Sequence, residues 1–311
     1  MRRLIRLELE DYVNQFADDS VPPGEYALSL PEAADLALPR RESVSHKYTY
    51  GRALVIAGSR GYAGAPVLAA NACERSGAGL TRLVVPESIY VPAAARIDGA
   101  VATPLRADEN GAFARGILPE VLPLLGGASA CVIGPGIGTA PGAGELTALA
   151  VREFEGPLIL DADALTLCGK NMALLRRRTS PVILTPHEGE FRRLGGNLSA
   201  GRLAGALAFT AAFPNVILVL KGHGTLVCRG REVTVNPTGG PAMAKGGSGD
   251  VLAGILCALL AQGFEPLFAA RCAVYLHGLA GDLAAGALGE YSVTPSDLIR
   301  CLPEAFKSVT A

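Results

Sequence analysis

The chain contains no tryptophan, and aromatic residues make up only 5% of its 311 residues. A surface that stacks nucleic-acid bases on aromatic rings is therefore not expected. Neither sign of charge dominates, since 28 basic and 29 acidic residues leave a formal net charge of −1. The sequence thus lacks the positive field that would attract nucleic acid or an anionic membrane, and we expect neither as a partner.

Long apolar segments and paired cysteines are also missing. The longest apolar stretches, near residues 251–261 and 273–288, are too short or carry Asp282, so neither should span a bilayer. The seven cysteines lie apart without a C-x-x-C pattern, which is typical of buried reduced thiols. The first residues lack the apolar core of a signal peptide. These features predict a soluble cytoplasmic protein.

Apolar residues and glycine are abundant, and from residue 52 onward short apolar segments alternate with helical patterns. The apolar segments are apolar at successive positions, which predicts strands in a parallel sheet covered on both faces. Predicted strands lie within 52–58, 81–86, 129–138, 157–165, 181–191 and 215–224, followed by a hairpin over 225–236 with its turn at 229–230. Predicted helices cover 65–79, 145–154, 250–262, 266–286 and 295–307. We therefore expect an α/β fold with a doubly wound, mostly parallel sheet over residues 46–311, and an N-terminal extension over 1–45.

Loops rich in glycine or functional side chains follow these predicted strands. Because ligands bind beyond the carboxyl ends of parallel strands, we expect a ligand site at this sheet edge. Each loop alone has an ordinary alternative: a tight turn for GPGIG, a loop histidine for His187, helix N-caps for Asp161 and Asp163, and a sheet-edge cap for Lys221. No complete G-x-G-x-x-G or Walker motif occurs, and the four histidines lack metal-ligand spacing, so no metal ligands are predicted. The loops read GSRGYAGAP, GPGIG, DAD, TPHEGEF, KGHGT and NPTGGPAMAKGGSGD.

The last loop combines glycines with one acid at the start of an apolar helix. The backbone amides of residues 246–249 and the positive end of the helix dipole would form an anion hole suited to phosphate. Asp250 would stand at the edge of that hole, where a carboxylate can accept the proton of an attacking hydroxyl. A plain helix N-cap remains the alternative role for Asp250.

The segment GGSGD before an apolar helix resembles the anion-hole and base signature of the ribokinase-like superfamily. With HKYTYGRALVIAGSRGYAGAP, VIGPGIG, LDADAL, TPHEGEF, LKGHGT and AVYLHGLAGDLAA in this order, residues 46–308 resemble the ADP/ATP-dependent NAD(P)H-hydrate dehydratase family. The resemblance implies a ribokinase-like fold and an enzyme acting on the S epimer of hydrated NADH or NADPH. ADP or ATP, with Mg²⁺ accompanying the nucleotide, would phosphorylate the 6-hydroxyl. Loss of phosphate would then restore the reduced cofactor.

The resemblance also assigns roles to individual residues. Asp250 matches the catalytic base and, with Ala65, Gly136 and His187, the substrate side of the site. Lys245 has no role assigned by the resemblance. The nucleotide-binding positions that match are Lys221, Gly222, His223, Gly224, Thr225, Asn236, Gly246, Gly247, Ser248 and Gly249.

Two other functions remain open at this point. One is a small-molecule kinase of the same superfamily, similar to hydroxyethylthiazole kinase. The other is a nucleotide-binding module without catalysis, although such a module would need the glycines and not Asp250. Residues 1–45 do not resemble the epimerase domain found in some family members, which implies a separate NAD(P)H-hydrate epimerase as functional partner. A homo-oligomer is also expected.

Overall fold

One ten-stranded sheet runs through the protein, whose computed structural model describes residues 27–310. The strand order across the sheet is β1-β10-β9-β8-β7-β6-β5-β2-β3-β4. The strands β2 to β8 pair in parallel, whereas β9 is antiparallel to both of its neighbours. In chain order the strands are β1 (Ala27–Ser29), β2 (Arg52–Ile56), β3 (Leu80–Pro86), β4 (Val101–Leu105), β5 (Ala130–Ile133), β6 (Leu158–Leu160), β7 (Val182–Leu184), β8 (Val216–Leu220), β9 (Leu226–Arg229) and β10 (Glu232–Val235).

Helices cover both faces of this sheet. Successive residues of β2 enter different cores: Val55 packs with one face and Leu54 with the other. This explains why the central strands are apolar at every position, and it confirms the predicted doubly wound, mostly parallel fold. The helices are α1 (Gly64–Arg75), α2 (Tyr90–Ala94), α3 (Leu118–Gly126), α4 (Pro141–Glu153), α5 (Asp163–Gly169), α6 (Ala173–Arg177), α7 (Glu188–Arg193), α8 (Arg202–Ala212), α9 (Ser248–Ala261), α10 (Pro266–Leu288) and α11 (Pro295–Val309).

The helix that follows the glycine-rich loop, α9, lies at the centre of one layer. Almost all of its residues are buried, which accounts for the long apolar run after Asp250. It packs closely on α1, because a Cβ at Gly254 would come 2.2 Å from the carbonyl oxygen of Ala69. Small residues at this crossing therefore let the backbones of α9 and α1 approach closely.

Several predicted boundaries were wrong by a few residues. Helix α4 begins at Pro141 rather than 145, as proline is favoured in the first helical turn. The hairpin turn lies at 230–231 rather than 229–230, because Gly230 takes the left-handed conformation with φ +56°. Helix α9 begins two residues before Asp250, at Ser248. These shifts leave the order of the predicted elements unchanged.

The described part of the predicted N-terminal extension is attached to the main domain. Strand β1 pairs with β10, and both Leu36 and Leu38 are buried in the core. The N–H of Leu38 donates to the carbonyl oxygen of Val309 at 2.6 Å. The division at residue 45 stays a prediction, and the predicted lack of a signal peptide concerns residues outside the described range. Between residues 27 and 310, no helix is both long and apolar enough to cross a membrane.

Candidate functional site

The loops that follow the parallel strands contact one another at one edge of the sheet. The N–H of Gly58, after β2, donates to the carbonyl oxygen of Pro135, after β5, at 2.8 Å. The N–H of Gly138 donates to Oδ2 of Asp163, after β6, at 2.9 Å. Three of the predicted loops are therefore joined by hydrogen bonds. This is the arrangement expected for the carboxyl ends of neighbouring parallel strands.

Lys221, at the end of β8, connects the remaining loops. Its ammonium nitrogen lies 2.9 Å from Oδ1 of Asp161 and 3.8 Å from Oε2 of Glu190. The same nitrogen would lie 3.4 Å from a Cβ placed on Gly249. Burial alone would lower the pKa of Lys221, but Asp161 and Glu190, together with Asp250, raise it above its ordinary value. The ammonium is therefore charged and lies beside the glycine-rich loop.

A cavity of about 670 Å³ opens beside this lysine. Its wall brings together eight of the residues that the sequence analysis assigned, whereas Ala65, Gly136, Gly224, Gly246, Gly247 and Asp250 lie outside the wall. The eight residues are His187, Lys221, Gly222, His223, Thr225, Asn236, Ser248 and Gly249.

The glycine-rich loop forms the predicted helix start. Gly247 is the N-cap residue of α9 and has φ +99°, a conformation that favours glycine. A Cβ on Gly247 would also come 2.8 Å from side-chain atoms of Leu68 and Pro295. By contrast, a Cβ on Gly246 would contact nothing within 4 Å, so glycine is not sterically required there. The Ser248 hydroxyl donates to the carbonyl oxygen of Met243 at 2.9 Å and so braces the loop.

Asp250 is the third residue of α9 rather than its N-cap, so the capping alternative is wrong. Burial raises the pKa of Asp250 to about 7, with Asp161 and Asp163 adding to the rise and Lys221 opposing it. The acid that is isolated within its own motif therefore has two acidic neighbours in the folded protein. A carboxyl group whose pKa lies near neutrality is suited to accept a proton at physiological pH.

The segment from Asp161 to Asp163 contains the only non-glycine residue with positive φ among residues 27–310. That residue is Ala162, with φ 49° and ψ −119°, a sparsely populated conformation that the neighbouring contacts must maintain. Asp161 is buried and accepts from the Thr185 hydroxyl at 2.7 Å as well as from Lys221. Neither acid caps α5, so the N-cap alternative is wrong for both. The turn instead directs one carboxylate to Lys221 and the other to the loop of Gly138.

Two of the predicted substrate-side positions, Ala65 and Gly136, form a second group of close contacts. A Cβ on Gly136, which has φ +61°, would lie 3.2 Å from the Cβ of Ala65 and 2.8 Å from that of Tyr62. The Ser59 hydroxyl donates to the carbonyl oxygen of Gly136 at 2.8 Å. Ala65, in the first turn of α1, therefore lies directly against the loop of Gly136.

His187 has a structural role as well as a place in the cavity wall. Its ring nitrogen Nδ1 accepts from the backbone N–H groups of Gly189 and Glu190, at 3.0 and 3.3 Å. The backbone N–H of His187 in turn donates to Oε2 of Glu190. The side chain thus caps α7, and more than half of it remains exposed. Both the loop role and a ligand contact are compatible with this geometry.

Other residues of the site escaped the sequence analysis. Lys245 donates from Nζ to the carbonyl oxygens of Tyr291, at 2.7 Å, and Val293, at 2.5 Å, which gives this lysine the role of bracing the loop. Thr238 donates to the carbonyl oxygen of Tyr275 at 2.8 Å and lines the cavity. His277 also lines the cavity, and burial lowers its pKa to about 4. In the sequence, the only signal for these three residues is that they lie within the segments NPTGGPAMAKGGSGD and AVYLHGLAGDLAA.

Comparison with known proteins identifies related chains. A family model described as NAD(P)H-hydrate dehydratase matches residues 53–304. A bifunctional NAD(P)H-hydrate repair enzyme of Gloeobacter violaceus is 44% identical over 257 residues, which cover 82% of this chain and 49% of that protein. The ADP-dependent (S)-NAD(P)H-hydrate dehydratase of Listeria monocytogenes is 33% identical over 89% of this chain and 95% of that protein. This chain thus spans about half the length of the bifunctional relatives.

A solved structure has the same fold over most of its length. It is the ADP/ATP-dependent NAD(P)H-hydrate dehydratase of Bacillus subtilis, which was co-crystallised with ATP and Mg²⁺. The TM-score is 0.74 at 30% identity, and the match covers 89% of this chain and 96% of that one.

Proposed function

The chain belongs to the NAD(P)H-hydrate dehydratase family, and from this premise we propose that it uses ADP or ATP to dehydrate the S epimer of hydrated NADH or NADPH. The observation that carries the proposal is the position of Asp250. Its carboxyl group, with a pKa near 7, stands at the start of α9 beside Lys221 and a nucleotide-sized cavity. The names of the relatives from Listeria and Bacillus support the same reaction.

The proposed reaction has two steps whose atoms balance. The 6-hydroxyl of the hydrated ring attacks the terminal phosphorus of the nucleotide, and Asp250 accepts the hydroxyl proton. The C–O bond to the new phosphate ester then breaks as the ring nitrogen donates its electron pair, and C5 loses a proton. The products are reduced cofactor, inorganic phosphate and the shortened nucleotide. Phosphorylation is useful because phosphate is a far better leaving group than hydroxide.

The two ligands would lie on opposite sides of Asp250. We assign the nucleotide to the cavity bordered by residues 221–225, with Asn236 and residues 246–249 at the phosphate end. The N-terminal amides of α9 and the Lys221 ammonium would stabilise the transferred phosphoryl group. Ala65, Gly136 and His187 would contact the hydrated dinucleotide. The cavity wall supports the nucleotide assignment, and the contact of Ala65 with the loop of Gly136 supports a separate substrate side. His187 lies in the cavity wall, where it would border both ligands.

Mg²⁺ fits this site as a partner of the nucleotide rather than of the protein. Across residues 27–310, no group of three or more histidine, cysteine, aspartate or glutamate side chains could hold a metal ion. Two carboxylates of the site, Asp161 and Glu190, already contact Lys221. We propose that the phosphate oxygens and water hold most of the ion's coordination sites, as is usual for Mg²⁺ on nucleotides.

The test measures turnover with defined ligands. Hydrated NADH or NADPH is mixed with the protein and ADP or ATP, and the return of absorbance at 340 nm is followed together with phosphate release. We expect one phosphate per reduced cofactor. A stable phosphorylated product would instead identify a small-molecule kinase, and nucleotide binding without turnover would identify a silent binding module. Cofactor formed without any nucleotide would refute the mechanism.

We further propose that an NAD(P)H-hydrate epimerase activity supplies the S epimer, which the bifunctional names of several relatives support. A cytoplasmic location is proposed because all seven cysteines are free and six of them are buried. A homo-oligomer is also proposed, and sedimentation or light scattering would test it.

A further inference from the structure

Arg202, the first residue of α8, lies behind the 221–225 loop and outside the cavity wall. Its Nη1 donates to the carbonyl oxygens of His223, at 2.6 Å, and Gly224, at 3.5 Å. Its Nη2 donates to the carbonyl oxygen of Leu220 at 3.0 Å. Only 14% of the arginine side chain is exposed. One largely buried guanidinium therefore donates to three backbone carbonyl groups, one at the end of β8 and two within the loop.

These contacts determine which way the loop's amides point. No peptide bond between residues 27 and 310 is cis, and in a trans peptide the carbonyl and the following N–H point in opposite directions. The carbonyl groups of His223 and Gly224 face Arg202, so the N–H groups of Gly224 and Thr225 face away from it. His223 and Thr225 line the cavity, whereas Arg202 does not. The arginine thus keeps these two N–H groups pointing away from itself, in a loop whose residues His223 and Thr225 line the cavity.

The loop backbone also packs directly on the guanidinium. Gly222 has φ +152°, and a Cβ there would lie 2.9 Å from Nη2 of Arg202. On its other side, Nε of Arg202 lies 3.5 Å from Oε1 of Glu188, the residue that follows His187. Arg202 therefore connects the predicted nucleotide loop with the predicted substrate loop.

We propose that Arg202 is a positioning residue that holds the 221–225 loop in its nucleotide-binding conformation. The proposal rests on the proposed function only in that this loop binds the nucleotide. Guanidinium is suited to the role because its planar fork presents five donors in a fixed geometry, whereas a lysine ammonium is a single point of charge. A loop that is already ordered binds with a smaller entropic cost, so the effect should appear in nucleotide affinity.

The experiment compares Arg202→Met with Arg192→Met, a matched control. Arg192 also contacts Glu188, with Nη2 at 3.5 Å from Oε2, but its side chain is 61% exposed. Calorimetry measures the Kd for ADP and for ATP without the second substrate, and urea unfolding reports whether each variant is folded. For Arg202→Met we expect the nucleotide Kd to rise by about tenfold or more, with Arg202→Lys intermediate. The KM for hydrated dinucleotide should change by less than about threefold, and Arg192→Met should match the wild type.

The outcomes separate this inference from the proposed function. A wild-type protein that binds no nucleotide overturns both. A wild-type protein that binds, with an unchanged Kd in folded Arg202→Met, overturns only the role of Arg202. Equal weakening by Arg192→Met, or equal weakening of both substrates by Arg202→Met, would show a general structural effect and would also overturn it. If Arg202→Met does not fold, Arg202→Gln, which keeps one donor group, is measured against the same criteria.

Discussion

Replacing Asp250 with asparagine should abolish turnover and also stabilise the folded protein above neutral pH. The pKa of this carboxyl group is about 7 instead of 3.8, chiefly because of burial and then because of Asp161. Between these two pH values the folded state binds a proton that the unfolded state releases, so stability falls as pH rises through that window. Above pH 7 the buried carboxyl group is ionised, which lowers the free energy of unfolding by about 4 kcal/mol. Asparagine carries no charge and avoids this cost.

The magnitude in each assay follows from the same pKa. Unfolding by urea should show a gain in stability for Asp250→Asn that is about 3 kcal/mol larger at pH 8 than at pH 5. In the wild type, kcat should rise with pH, with about a tenth of its plateau at pH 6 and about nine tenths at pH 8, as the base becomes ionised. The variant should lose about a hundredfold to ten-thousandfold in rate, because the amide cannot accept the proton.

Asp297 offers a control of opposite sign. Hydrogen bonding from the Thr294 hydroxyl, together with the backbone N–H and Arg300, lowers the pKa of Asp297, so its ionised form stabilises the fold above its ordinary pKa and that stability is lost as pH falls. Asp297→Asn should therefore destabilise the protein at pH 8.

An Asp250→Asn variant within tenfold of wild-type activity would refute the assignment of Asp250 as the base. A variant with no greater stability gain at pH 8 than at pH 5 would refute the raised pKa.

Three further substitutions and one ligand test the rest of the site. Asp161→Asn removes a charge that raises the pKa of Asp250, so the acidic limb of the pH–rate profile should move to lower pH; an unmoved limb would contradict this coupling. Gly247→Ala places a side chain at φ +99° and against neighbouring side chains, so phosphoryl transfer should slow, and an unchanged rate would mean that the loop is only a turn. His187→Ala should raise the KM for hydrated dinucleotide more than the KM for nucleotide. It should also lower the free energy of unfolding by about 1 kcal/mol, because the cap of α7 is lost. Equal changes in both KM values would show that His187 acts only as a helix cap. A nonhydrolysable nucleotide at a hundredfold excess over Kd should stabilise the fold by about 2.7 kcal/mol, whereas any dehydration that it supports would contradict phosphorylation.

Some elements of the fold were not predicted from the sequence patterns. Strand β4 was missed because it lies at the sheet edge, where most of its residues are partly or fully exposed and the apolar run is lost. Strand β1 has three residues and is held by pairing with β10, a partner remote in the chain. Helix α8, which carries Arg202, was missed as well. The two strands depend on pairing partners that the local pattern does not contain.

The sequence by itself determined the layered α/β fold, the edge of the sheet where the loops meet, and the glycine-rich start of α9. These follow from local properties: runs of apolar residues, the backbone freedom of Gly247, and the direction of parallel strands. Only the tertiary structure decided the pKa of Asp250, the pairing of Lys221 with Asp161 and the hydrogen bonds from Arg202 to the 221–225 loop. Such effects depend on burial and on charges brought together from distant parts of the chain, because electrostatic energies vary with distance in space and with exclusion of water, not with separation in sequence.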